Sequence, residues 1–313
     1  MLEIGSVLKD RYKILKQIGA GGVSRVYLAM DEKMNKQVAV KAICFKDCLN
    51  TGTYINNYKR EIDKVKRLDS PAIHKIYDVI ENDNSIIVVM DYMQGKDLAQ
   101  ILKEQGPQPE EKVIEWGKQL CDALDYLHSQ NLPLLYLNLK PSEIWLKPDG
   151  QIMLINVEYY AREYKESNIE STGYLGTIGY TTPEEFIGEG HVDLRADIYS
   201  LGATLHHLVT GHSPAEPPYE IYPIRCFNPA LSGGLEWIID KCCQPIREDR
   251  FQSCAEVLYA LEHIDESGCS VVYGAPSRSI LKKFKNAMEV RKTKKQIKHL
   301  IEIKYPNSHK NDN

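Results

Sequence analysis

The chain has no apolar run long enough to cross a bilayer: Ile86-Ile-Val-Val-Met90 is far short of the ~20 residues a spanning helix needs. Its first residues, Met1-Leu-Glu-Ile-Gly-Ser, carry neither the basic region nor the long apolar region of a secretory signal. The eight cysteines (44, 48, 121, 226, 242, 243, 254, 269) contain no C-x-x-C pair and no histidine at zinc-ligand spacing. Cys44 and Cys48 as metal ligands weigh far less than scattered free thiols in a reduced cytoplasm. No internal repeat and no low-complexity tract interrupts the chain. These absences lead to the expectation of a cytoplasmic protein that does not itself span a membrane.

A strongly basic core is also missing. The net charge is −4, but the 11 Lys+Arg from Arg278 onward face three acids (Glu289, Glu302, Asp312), so that tail carries +8 and residues 1–277 carry −12. Positive charge is thus confined to one end, which speaks against a nucleic-acid partner. What remains is ordinary globular composition, 43% hydrophobic and 26% charged over 313 residues.

The pattern along that composition is bipartite. Tyr12–Ile18, Val26–Ala29 and Gln37–Ile43 are short β-branched segments separated by turns, and Ile73–Ile80 and Ser85–Asp91 are two more. Between them, Ile55, Tyr58, Ile62, Val65 and Leu68 follow helical spacing, predicting a helix over about 54–68 that stops before Pro71. Past Gly95 helices dominate. Leu98–Lys103 is short. Pro109–Ser129 carries Val113, Trp116, Leu120, Ala123, Leu124 and Leu127 on one stripe. Asp197–Thr210, Leu235–Cys243 and Ser253–His263 follow. Residues from 269 read as a linker and a lysine-rich segment, with Ile280, Leu281, Phe284, Ala287 and Met288 at helical spacing. For this tail a solvated basic segment, an interfacial helix on anionic lipid and a docking helix all stay open.

Four motifs give the bipartite pattern a meaning. Gly19-Ala-Gly-Gly-Val-Ser-Arg-Val26 is a glycine-rich turn whose backbone N–H groups can approach phosphate without Cβ obstruction. Val38-Ala-Val-Lys41 follows it. Tyr136-Leu-Asn-Leu-Lys-Pro-Ser-Glu-Ile-Trp145 follows the long helix, and Asn156-Val157-Glu158 ends the next strand-like run. Together they make residues 1–268 resemble a serine/threonine protein kinase domain of the kind common in Gram-positive bacteria, whose patterns are G-x-G-x-x-G-x-V, [HY]-R-D-L-K-P-x-N and D-F-G. The resemblance implies a bilobal α+β fold. A small antiparallel β lobe with one main helix would cover 1–93, a mainly helical lobe 94–268, and a basic, amphipathic tail 269–313.

What the resemblance implies about chemistry is mostly loss. The proton-orienting Asp is Asn138, the metal-holding Asn is Glu143, and the D-F-G Asp is Asn156, so no catalytic set is intact, although Lys140 is kept. An amide is no base. Leu137 replaces the Arg that reads a phosphorylated activation loop, so modification of Ser171, Thr172 or Thr177 would lack its reader. A nucleotide pocket, if used, would comprise Gly19, Gly21, Gly22, Val26, Ala39, Lys41, Glu61, Met90, Asp91, Met93 and Trp145, with Lys41 ion-paired to Glu61. Trp145 stands where the adenine floor is aliphatic in the family. Either the indole fills the slot, or it packs elsewhere and leaves a shallower one. Glu143 and Asn156 are the only candidate metal positions, and Mg²⁺ demands near-ideal octahedral geometry. Scaffold positions persist: Glu184 in Thr182-Pro-Glu184, Asp197, Arg250, and the column Val65, Tyr136, Val157.

The sequence therefore leads to a pseudokinase that acts by binding, as a scaffold or allosteric regulator, and is not expected to be an enzyme. Two alternatives are carried beside it: a slow phosphotransferase using Glu143-bound metal, and a metal-independent nucleotide sensor. No cofactor is implied beyond weak ATP binding with doubtful need of Mg²⁺. The expected partner is a protein, an active kinase or another signalling protein, with membrane-surface contact at the inner face through the tail.

Overall fold

The computed structural model describes residues 2–21, 24–44, 51–82, 85–157, 162–163, 177–187, 192–217 and 219–264. Gly22, Cys48, Glu158, Ser171, Thr172, Gly176 and the whole basic segment from 269, with its amphipathic spacing, lie outside the described residues.

Six strands form one antiparallel sheet: β1 (Val7–Leu8), β2 (Tyr12–Gly21), β3 (Ser24–Asp31), β4 (Lys36–Cys44), β5 (Ile76–Asn82) and β6 (Ser85–Asp91), ordered β1-β2-β3-β4-β6-β5. The sequence pattern suggested five strands. The extra one is the two-residue β1, too short for any periodicity to show. Helix α1 (Thr51–Val65) lies between β4 and β5 in sequence.

Side-chain alternation divides this sheet into two faces. Val38 and Val40 of β4, with Ile87 and Val89 of β6, join Tyr12, Ile14, Tyr27 and Ala29 in one apolar cluster. Ala39 of β4 and Ile86, Val88 and Met90 of β6 face the other way, into the main core with Ile55, Tyr58, Ile62 and Val65 of α1. Register then fixes what lies over the interior: Ala39 pairs Met90, Lys41 pairs Val88, and Val26 pairs Lys41. The alternation that buries the valines thus turns Ala39 and Lys41 toward the helical part.

That part comprises α2 (Leu98–Gln105), α3 (Glu110–His128), α4 (Pro183–Ile187), α5 (Arg195–Thr210), α6 (Gly233–Cys242) and α7 (Cys254–Glu262). Their starts follow capping chemistry. Asp97, Ser232 and Ser253 accept from the backbone N–H groups of Gln100, Leu235 and Glu256, satisfying donors that a helix start leaves orphaned. Helix α5 is buried nearly all round, from Ala196 to Val209, and is the central rod of this half. The short strands β7 (Lys96–Asp97), β9 (Ile144–Leu146) and β10 (Ile152–Leu154) pack as a small sheet. Val65, Tyr136 and Val157 belong to the same core cluster, as the column suggested. Among the described residues no helix is long and apolar enough to cross a membrane.

At the end of α5 three imidazoles gather. His206 Nε2 lies 3.0 Å from the Tyr222 carbonyl, and its ring meets His212 edge-on at 6.4 Å. His207 Nδ1 bonds the Tyr180 hydroxyl. Burial, then the neighbouring imidazoles, pushes His206 and His207 down to about 4. The folded state thus keeps both neutral while the unfolded chain protonates them near the usual 6.5, so unfolding takes up protons between these values. Stability should be flat above pH 6.5 and fall as pH drops toward 5. Each imidazole contributes a slope of up to about 1.4 kcal/mol per pH unit. Urea unfolding midpoints measured across that window should show the slope, and His206→Gln should remove about half of it.

Candidate functional site

A cavity of about 370 Å³ opens between the sheet and the helical part, lined by Ile18, Val26, Ala39, Lys41, His74, Met90, Asp91 through Gly95, Trp145, Ile155 and Asn156. Its size is at the low end for small-molecule pockets, and its walls combine apolar side chains with a few polar ends, as such pockets do. Ala39 and Val26 come from the sheet, and Met90 ends β6. Gly21 lies in the β2–β3 hairpin facing Ser24, and Gly19 pairs Val26.

The connecting segment along one edge is held rigidly. The Asp91 carboxylate accepts from the Lys75 backbone N–H at 2.9 Å and from the Tyr77 hydroxyl. Gly95 has φ +131°, and a Cβ there would meet the Leu146 carbonyl oxygen at 2.0 Å. Only glycine lets this segment lie so close to β9. Trp145, on β9, does not fill the slot. Its indole Nε1 donates to the Gln94 carbonyl at 3.2 Å and its ring forms a wall of the open cavity. Of the two possibilities the sequence left for Trp145, filling the slot or packing elsewhere and leaving a shallower one, the structure has the indole packed against the Gln94 carbonyl with the cavity open.

At the inner end, polar side chains join hands. Lys41 Nζ donates to Asn156 Oδ1 at 2.7 Å, and Asn156 Nδ2 donates to Glu143 Oε2 at 2.7 Å. An amide's O and N ends are assigned from their partners, and here the partners leave one choice: an ammonium only donates and a carboxylate only accepts. Lys140 Nζ lies 3.8 Å from Glu143 Oε1 and donates to Thr177 Oγ1 at 2.8 Å. Thr177 in turn donates to Asn138 Oδ1 at 2.9 Å, while Asn138 Nδ2 is buried with no partner among the described residues. The chain Lys41–Asn156–Glu143–Lys140–Thr177–Asn138 runs across the floor of the cleft. Thr177, offered by the sequence only as a phosphorylation candidate, links Lys140 to Asn138 in it.

One expected contact is absent. Glu61 does not pair with Lys41; it accepts from Lys64 at 3.1 Å, one turn along α1. The local i,i+3 partner is always within reach, whereas Lys41 lies across the cleft with Asn156. The Lys41–Glu61 ion pair is therefore corrected to two separate contacts.

The donor set does not suit Mg²⁺. A magnesium site needs oxygen ligands in octahedral array at about 2.0–2.1 Å. Asn156 spends its only oxygen on Lys41 and turns its NH₂ toward Glu143. Among the described residues no group of three or more His, Cys, Asp or Glu could hold a metal ion. Glu143 and Asn156, the two candidate metal positions, bond to each other instead.

The loops that carry these groups are strained and braced. Leu137 (φ +61°) and Asn156 (φ +58°) adopt left-handed backbone, which costs a non-glycine residue about 1–2 kcal/mol. Asp197, fully buried at the start of α5, supplies the brace. Its carboxylate accepts from the Tyr136 and Leu137 N–H groups and from His128 Nε2, each at 2.8 Å. A second brace is Arg250, 2% exposed. It forms a fork with Glu184 at 2.8 and 2.9 Å and donates to the Gln244, Arg195 and Pro245 carbonyls. All five guanidinium donors are used, as burial of that charge requires.

The protein kinase domain family model matches residues 12–226. A probable serine/threonine-protein kinase of Clostridium acetobutylicum is 32% identical over 273 residues, covering 83% of this chain and 41% of that protein. The serine/threonine-protein kinase PrkC of Bacillus subtilis is 31% identical over 211 residues, covering 67% and 32%. The chain thus spans well under half the length of these relatives. The solved kinase domain of PknI from Mycobacterium tuberculosis superposes with a TM-score of 0.68 at 24% identity, covering 85% of this chain and 100% of that one, which shows the bilobal α+β kinase fold.

Because Asp197 satisfies two buried backbone donors at once, Asp197→Ala should destabilise the protein by at least about 3 kcal/mol. Lys9→Ala, which removes a half-exposed ion pair with Asp78, should change stability by less than about 1 kcal/mol. Urea denaturation of the two variants side by side checks the contrast.

Proposed function

The chain belongs to the protein kinase family, and from that premise we propose that it is a catalytically impaired member, a pseudokinase that acts by binding. One observation carries this reading. The Asn156 amide bridges Lys41 and Glu143 at 2.7 Å on either side, where phosphoryl transfer needs a carboxylate holding metal against the phosphates. Asn138 adds to it, since its amide can neither accept a proton usefully nor carry negative charge.

What has changed is chemistry, and what remains is architecture. Asp197, Arg250 and Glu184 keep the loops in place. A fold so braced, with its reactive groups replaced, is suited to a binding role as a scaffold or an allosteric regulator. The partner is a protein of a signalling system, an active kinase being the first choice. The segment from Arg278 onward, with its net +8, adds electrostatic affinity for anionic lipid at the inner membrane face. The slow phosphotransferase gains nothing from the geometry, because Glu143 is already engaged by Asn156.

The chain incubated with radiolabelled ATP, a basic protein substrate and either Mg²⁺ or Mn²⁺ should incorporate no label into itself or the substrate. Incorporation that disappears in Lys41→Ala or Glu143→Ala would overturn the reading.

A further inference from the structure

We propose that the cleft takes a nucleotide as its metal-free anion, and that divalent cation opposes this binding instead of assisting it. The inference rests on the reading that transfer chemistry is lost, and it adds a ligand form and a sign.

The cavity supplies both ends of a nucleotide site. Ala39, Val26 and Met90 give apolar walls for a flat base, Trp145 adds an aromatic one, and the Met93 backbone lies along the edge. The Met93 N–H and C=O make no hydrogen bond within the described residues, so a base edge would meet peptide groups with bonding capacity to spare. At the other end Lys41 Nζ faces the cavity beside Asn156. An ammonium is a phosphate binder by charge alone.

The same end rejects a cation. In a metal-dependent site, phosphate and protein oxygens converge on the ion. Here the Asn156 NH₂ points at Glu143 and its oxygen at Lys41, so the space between the loops is closed by a direct hydrogen bond. Recruiting Asn156 Oδ1 to a metal would take it from Lys41 and leave a cation beside the ammonium. Recruiting Glu143 would strip the Asn156 NH₂ of its acceptor and Lys140 of its counter-charge. Two ammonium groups, Lys41 and Lys140, already flank the single carboxylate of this chain of contacts. An added divalent ion would raise the positive charge of a chain of contacts in which two ammonium groups already outnumber one carboxylate. The bridge and the metal exclude one another, and the bridge is compatible with bare phosphate on Lys41.

If only the free anion binds, its apparent affinity falls with the fraction of nucleotide left uncomplexed. Isothermal titration of the full chain with ATP should therefore show binding in EDTA and roughly tenfold weaker binding in millimolar Mg²⁺. Adenosine, which has no phosphate to complex, should be indifferent to the metal. Asn156→Asp replaces the NH₂ donor with a second carboxylate beside Glu143 and should reverse the sign, so that Mg²⁺ strengthens ATP binding. Should that variant fail to fold, as circular dichroism would reveal, the wild-type comparison alone decides. Tighter wild-type binding with Mg²⁺ than with EDTA would overturn the proposal, and so would no ATP binding in either buffer. Both of those results leave the loss of phosphoryl transfer standing. Label incorporation in the transfer assay would remove the underlying reading independently.

Discussion

The geometry of the cleft depends on the Asp197 carboxylate more than on any group that faces the cavity. Two consecutive backbone N–H groups, of Tyr136 and Leu137, can point at one carboxylate only if the chain turns sharply there, and Leu137 takes φ +61° to allow it. The strain is offset by two charge-assisted bonds in a site from which water is excluded. His128 from the long helix α3 adds a third bond, and Thr204 of α5 reaches the Leu139 carbonyl. The loop carrying Asn138, Lys140 and Glu143 is therefore stitched to two helices through its backbone. Its side chains can change without moving it.

That independence lets the cleft keep its shape whatever side chains the loop presents. The polar side chains it does present are matched to one another. A carboxylate at position 156, this close to Glu143, would face like charge and would need a cation or a proton between them. Asn156 removes one charge and supplies a donor, so the pair closes on itself at 2.7 Å. Glu143 in turn gains Lys140, and Lys140 gains Thr177. Asn156 and Glu143 find partners in each other and in Lys41 and Lys140, and Asn138 finds its partner in Thr177. Among the described residues, the Nδ2 of Asn138 is the one buried polar atom of this chain of contacts without a partner.

Much of this was legible in the sequence, because residue type and order decide it. Alternating valines in Val38–Ile43 fix which face of β4 is buried, so Ala39 and Lys41 had to share the other. Asp197, Arg250 and Glu184 could be matched to scaffold roles, since a buried charge needs a specific partner wherever it stands. Other contacts were not legible, because they are choices between two reachable partners. Glu61 could meet Lys41 on the neighbouring β4 or Lys64 one turn away, and only the distance between α1 and β4 decides. The histidines at the end of α5 escaped for a different reason. His206 and His207 are adjacent in sequence, but His212 joins them through the turn after Gly211, and no spacing rule announces that.

Trp145 shows how a single side chain can carry both kinds of information. Its size marked the pocket floor from the start, but size alone could not say which way the indole lies. The deciding element is its N–H, which when half-buried seeks an acceptor. The Gln94 carbonyl provides one because Gly95, at φ +131°, brings that segment against β9. The indole is thereby held at the rim, tying the connection between the two halves to the small sheet beneath it. A glycine with no chemistry of its own thus keeps the cavity open, and an aromatic that could have closed it becomes a wall. Openness and the closed polar floor are separate outcomes, set by different residues. The floor of a cleft can therefore be closed by hydrogen bonds between its own side chains while the cavity above it stays open.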